Sequence, residues 1–190
     1  DLDRMLKIGL IGPDFLLQRD EMVFRQQQIK TVRIQDGAQM QQIDGLLLTG
    51  WKSSDYLHNI KRLAPSFLKY RSQISLLGIA GGAAAMGRGG ILPVMDCNIV
   101  SRPGRSVATA ILEMPSFTQE RFTAVFLPEV RFTALAPNLG IVCRNGKREP
   151  VVVRQGNDLA CGYVAELTAQ PYLYHYWLEM VAALKNSKDF

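Results

Sequence analysis

Three short, unbroken apolar runs alternate with helix-patterned segments across the first 80 residues, at residues 5–11 (MLKIGLI), 44–49 (DGLLLT) and 74–79 (ISLLGI). A strand that is apolar at nearly every position, rather than at every second one, has both faces covered. Strands read this way in a parallel sheet with helices packed above and below. The first run stops at Gly12-Pro13, and residues 15–28 then present an apolar helical face through Phe15, Leu16, Met22 and Val23. Residues 30–35 (KTVRIQ) alternate as a strand, residues 52–71 predict a helix bent at Pro65, and a small-residue helix is expected from Gly81. Repeated strand–helix–strand units imply a mostly parallel α/β sheet with helices on both faces.

From residue 94 the pattern changes. Short strand-like runs at 98–101, 107–114, 123–127, 140–144, 150–155 and 159–164 are separated by turn residues, which predicts an antiparallel extension of the sheet. Residues 173–185 read as a closing amphipathic helix. With 190 residues, no internal repeat and no linker-like stretch, residues 1–190 are expected to form a single domain. Hydrophobic residues make up 47% and charged residues 21%, enough for a sizeable core, so a disordered or fibrous chain is excluded.

The net charge of +5 is spread along the chain without a basic block, so nucleic acid is not an expected partner. Cys97, Cys143 and Cys161 lie far apart, and there are only two histidines, His58 and His175. No zinc-type spacing exists, and neither a metal nor a cofactor is expected; the cysteines read as buried thiols of a reducing compartment. The most apolar stretch, residues 74–86, is shorter than the roughly 20 residues a membrane span needs. The first residues lack a secretory-signal pattern, so a cytoplasmic protein with no membrane attachment is expected.

In such a sheet, sites form beyond the carboxyl ends of the strands. Three segments occupy such positions: Thr49-Gly50-Trp51-Lys52-Ser53, Gly78-Ile79-Ala80-Gly81-Gly82 and Cys161-Gly162-Tyr163-Val164-Ala165-Glu166. Their order resembles class I glutamine amidotransferases, in particular the glutaminase subunit of pyridoxal 5'-phosphate synthase. The likeness runs nearly end to end. It includes Lys7-Ile8-Gly9-Leu10, Ile43-Asp44-Gly45-Leu46-Leu47-Leu48, Leu92-Pro93-Val94-Met95-Asp96, Leu159-Ala160-Cys161-Gly162-Tyr163 and Tyr176-Trp177-Leu178-Glu179-Met180-Val181. The resemblance implies a flavodoxin-like, three-layer class I glutamine amidotransferase fold.

It also implies a place for each catalytic part. Glutamine hydrolysis in that family uses a cysteine on a strand-to-helix elbow, a histidine base oriented by a glutamate, and a glycine-rich loop whose amides hold the oxyanion. The resemblance puts Ala80 at the cysteine, Val164 at the histidine and Glu166 at the glutamate. The family's Pro-Gly-Gly-Glu-Ser loop reads Thr49-Gly50-Trp51-Lys52-Ser53, with a bulky ring and a reversed charge where the family has glycine and glutamate. A methyl group cannot attack a carbonyl and an isopropyl group cannot carry a proton. The expectation is a catalytically inactive, glutaminase-like binding, scaffolding or regulatory subunit, with Glu166 kept as a structural carboxylate.

The partner implied by the resemblance is a pyridoxal phosphate synthase-type barrel subunit or a diverged relative; a homo-oligomer is a further possibility. Two alternatives use the remodelled pocket of Gly50, Trp51, Lys52, Ser53 and Gly81: a ligand sensor, or an enzyme of different chemistry. Lys52, Ser53 and Ser54 open a helix, where free amides and a lysine suit an anion, while serine there is equally a common N-cap.

Overall fold

The computed structural model describes residues 5–51, 54–102, 107–115, 117–127 and 129–187. The first half builds β1 (Lys7–Ile11), α1 (Asp14–Gln26), β2 (Lys30–Arg33), β3 (Gly45–Gly50), α2 (Ser54–Lys69), β4 (Ser75–Ala80) and α3 (Gly81–Ala84). The second half builds β5 (Asn98–Arg102), β6 (Ala108–Glu113), β7 (Arg121–Phe126), β8 (Glu129–Thr133), β9 (Gly140–Asn145), β10 (Pro150–Gln155), β11 (Asp158–Cys161) and α4 (Tyr172–Ser187). Nine strands form one sheet in the order β2-β1-β3-β4-β11-β10-β9-β6-β7, and β5 pairs with β8 in a separate ribbon.

The parallel half follows the expectation. β3 and β4 are buried at all six positions each, and successive side chains feed opposite faces. Leu47, Leu77 and Ile79 enter one core with Leu16, Phe24 and Trp177, from α1 and α4. Leu46, Leu48 and Leu76 enter the other, with Tyr56, Ile60, Leu63 and Phe67 of α2. An alternating pair of cores is what forces these strands to be apolar throughout. Trp177 is fully buried, its ring lies where a Cβ on Gly45 would meet it at 2.9 Å, and its Nε1–H donates to Ser75 Oγ at 3.0 Å.

The second half departs from the sequence reading in several places. The sequence pattern puts β11 in an antiparallel extension, yet it runs parallel to β4, pairing Asp158 with Leu76 and Cys161 with Ile79. The tight turn after β10 sends β11 back through the sheet centre, and only β10, β9, β6 and β7 extend the sheet antiparallel. β5 leaves the main sheet to pair with β8, a strand missing from the sequence reading although Val130 and Phe132 alternate inward. The expected strand at 159–164 ends at Cys161, because the Gly162 and Val164 amides turn to the carbonyls of Val151 and Val125. The helix expected from Gly81 is a single turn, and α2 runs on through Pro65 before a separate short turn, Arg71–Gln73.

The outer edge of β7 is closed rather than left open. Val125 accepts from the Val164 amide at 2.7 Å and donates to Thr168 Oγ1 at 3.2 Å, so the segment after β11 stitches itself along the edge. Trp177 fills the space between α1, α4 and the sheet, and Trp177→Ala should cost about 3–5 kcal/mol of unfolding free energy, read from denaturant unfolding midpoints.

Candidate functional site

The ends of β3 and β4 lie side by side, with Gly50 opposite Ala80. Ala80 adopts φ +56° and ψ −110°, a conformation L-residues avoid unless their surroundings impose it. Here the imposing contact is backbone on backbone. A Cβ on Gly82 would lie 2.1 Å from the Leu48 carbonyl oxygen, and one on Gly81 would lie 2.4 Å from that of Gly50. Only glycine permits this approach, and it compels the chain to reverse at Ala80. The result is a sharp strand-to-helix elbow bearing a methyl group that is 1% exposed.

Val164 comes to the same apolar cluster as Ala80 and is completely buried. Its carbonyl accepts from Thr168 Oγ1 at 2.9 Å, which holds the short turn Ala165–Leu167 beneath it. Trp51 packs half-buried against this cluster, with its ring 5.8 Å from that of Phe15, which is 49% exposed at the start of α1. Lys52 and Ser53 lie outside the described residues, and with them the suggested anion site. The structure places Gly50 beside Ala80, with the Gly81 backbone against Gly50, and Ala80 and Val164 are buried in one apolar core against which Trp51 packs.

Glu166 follows Val164 by two residues and points inward, 7% exposed. Sequence reading missed its neighbour, Asp20 of α1, which is fully buried and accepts the Tyr174 hydroxyl hydrogen on Oδ1 at 2.6 Å. Glu166 sits within reach of the Asp20 carboxyl and the Thr49 hydroxyl. Burial pushes the Asp20 pKa well above the usual carboxylate range, and the charge of Glu166 and the contact with it push the same way. Burial also raises Glu166, against the lowering contacts of Asp20 and Thr49. Asp20 Oδ2 and the two Glu166 oxygens, and separately Thr49 Oγ1, make no well-formed hydrogen bond. A signal for Asp20 existed: it falls on the stripe Leu16, Leu17, Phe24, where a lone acid is out of place.

The remaining candidates do not supply a nucleophile. All three cysteines are buried and free, burial raises each thiol, and Cys143 is pushed up to about 12. Such thiols stay protonated and unreactive at neutral pH. His58 stands exposed on α2, and His175 of α4 packs against Phe117 with ring centres 6.3 Å apart. Among the described residues, no three His, Cys, Asp or Glu side chains gather in a way that could hold a metal, and no helix is long and apolar enough to cross a membrane. Two surface grooves lie elsewhere. One, of about 910 Å³, runs between β6, β8 and the β9–β10 turn; the other, of about 710 Å³, lies by Arg71 and Asp158. Neither is lined by Gly50, Trp51, Ala80, Gly81, Val164 or Glu166.

No family profile matches the chain. Among curated proteins it is similar to the pyridoxal 5'-phosphate synthase subunit PdxT of Thermotoga maritima, 24% identical over 189 residues, covering 93% of this chain and 100% of that protein. The subunit of the same name from Francisella tularensis is 23% identical over 178 residues, covering 92% and 98%. A crystal structure of a glutamine amidotransferase superposes with a TM-score of 0.80 at 21% identity, over 92% of this chain and 98% of that one. A glutamine amidotransferase from Thermotoga maritima gives 0.62 at 15% identity, over 98% of this chain and 86% of that one. The fold is the flavodoxin-like fold of class I glutamine amidotransferases, and the sequence similarity to the PdxT subunits is distant but spans nearly the whole chain. The elbow depends on the glycine contact, so Gly82→Ala should cost roughly 1–3 kcal/mol, read from thermal unfolding, because the new Cβ meets rigid backbone.

Proposed function

We propose that this chain is a catalytically silent, glutaminase-like domain spanning residues 1–190, which acts by binding a protein partner rather than by hydrolysing glutamine. The observation that carries this reading is Ala80: the elbow backbone is held at φ +56° while the side chain on it is a methyl. Cleaving a carboxamide through a thioester needs an atom that attacks the carbonyl carbon, a base that takes its proton and donors that hold the resulting oxyanion. Ala80 lacks the first, buried Val164 lacks the second, and Glu166 is turned to Asp20 instead of orienting a base.

The burial of Ala80 and Val164, 1% and 0% exposed, weighs against the ligand-sensor alternative, since neither presents a surface to a small molecule. What supports a binding role is the surface next to the elbow. Phe15 and Met22 stand 49% and 58% exposed on α1, seven residues apart on one helical face, with Trp51 beside Phe15. The relatives are named as subunits of pyridoxal 5'-phosphate synthase. On this reading the partner is the barrel subunit of such a synthase or a diverged counterpart of it.

Two outcomes are expected. Purified protein should release no ammonia from L-glutamine above background, and Ala80→Cys should release none either, because a thiol beside Val164 has no base; turnover by the unaltered protein would overturn the silent-domain reading. In sedimentation velocity at tens of micromolar, the protein should co-sediment with a synthase barrel subunit, and Phe15→Ser with Met22→Ser should weaken the complex at least about tenfold, as expected for removing central apolar anchors. Absence of any complex would remove the synthase partner from the reading.

A further inference from the structure

We propose that Asp20 and Glu166 hold one proton between them, and that this buried acid pair is a latch fastening α1 to the 164–168 segment. The inference stands apart from the binding role and would hold whatever the partner is. It starts from the orphaned oxygens. Asp20 Oδ1 is engaged by Tyr174, which leaves Oδ2 as the oxygen available to Glu166. α1 packs directly on the Ala165–Leu167 turn, so the two carboxyl groups meet across that contact, both out of solvent. As two carboxylates they would repel in a dry volume, with acceptors facing acceptors. A single proton on Asp20 Oδ2 turns one acceptor into a donor and makes a charge-assisted O–H···O bond to Glu166.

The groups around the pair fit one retained negative charge. On α1, Arg19 lies near enough to favour an ionised Glu166, while Glu21 disfavours a second charge on Asp20. Thr49 at the end of β3 lies near enough to favour an ionised Glu166, without a well-formed hydrogen bond to it. From α2 comes Tyr56, from α4 Tyr174, and from β11 and the turn after it Cys161 and Tyr163; burial raises all four, so each keeps its proton through neutral pH. The proton of the pair is thus the one whose release the fold shifts upward from the ordinary carboxylate range.

The sign of the pH effect follows. The folded state binds this proton more tightly than the unfolded chain, in which an aspartate titrates near about 3.9. The stabilisation is complete below that value and is lost as pH rises through the folded titration of the pair. Deprotonation should loosen first what the latch holds: the amides of Val164, Leu167 and Thr168, bonded to Val125, Val164 and Ala165.

Hydrogen exchange across residues 162–168, corrected for base catalysis, tests this against Asp20→Asn. Asparagine supplies an N–H donor to Glu166 and a carbonyl acceptor to Tyr174 without needing a proton. Between about pH 6 and about pH 9, protection in the unaltered protein should fall at least about tenfold, while in Asp20→Asn it should stay level. Glu166→Gln, which offers its own donor to Asp20, should behave like Asp20→Asn and serves if that variant folds poorly. Infrared spectra should show the carbonyl stretch of a protonated carboxylic acid at neutral pH in the unaltered protein and not in Asp20→Asn. An equal fall in all three proteins would overturn the latch. So would the absence of the acid band, or stabilisation by added sodium, potassium or ammonium at fixed pH, which would assign the oxygens to a cation.

Discussion

The backbones of Gly81 and Gly82 rest on the carbonyls of Leu48 and Gly50, and the rest of the site follows from that contact. It fixes where β4 stops, forces the reversal at Ala80 and brings the ends of β3 and β4 level with the segment after β11. The contact belongs to the packing of the sheet, not to any reaction. Chemistry at an elbow needs one reactive atom, whereas the elbow itself needs two residues without side chains and two strands in register. These requirements are separable, so a chain can keep the second while lacking the first. At Ala80 an unfavourable backbone angle is maintained by its neighbours, with a methyl group as the side chain.

Glu166 shows what becomes of a buried carboxylate beside apolar neighbours. A lone ionised acid in that position is costly, and the structure answers with a second acid on α1, a tyrosine on α4 and a threonine on β3. A shared proton gives Asp20 Oδ2 a role as donor and a Glu166 oxygen a role as acceptor, while Asp20 Oδ1 accepts from Tyr174. The same arrangement ties three elements together around the 164–168 segment, whose other side is bonded to β7.

The parallel half of the fold was legible because β3 and β4 are apolar at successive positions and the intervening segments carry helical faces. The strand direction of β11 was not, since Leu159 to Cys161 has the same local pattern whichever neighbour it pairs with; its parallel pairing is decided by β4, about 80 residues away in sequence. β8 escaped notice because a strand of five residues carries a weak signal, even with Val130 and Phe132 pointing inward. At the site, Ala80, Val164 and Glu166 were read from the resemblance; Ala80 and Val164 lie in one apolar core, and Glu166 is buried two residues after Val164. Asp20 went unread because its partners, Tyr174 and Glu166, lie 154 and 146 residues further along the chain. Only the break it makes in an apolar stripe marks it locally.

The central proposal is that this chain does not take up glutamine at the Ala80 elbow. Titrating L-glutamine into the folded protein while following the amide resonances of Gly50, Gly81, Val164 and Glu166 tests it most directly. The account predicts no saturable shift up to millimolar glutamine. Saturable shifts confined to those amides would contradict it and would show an open, glutamine-sized site at the elbow.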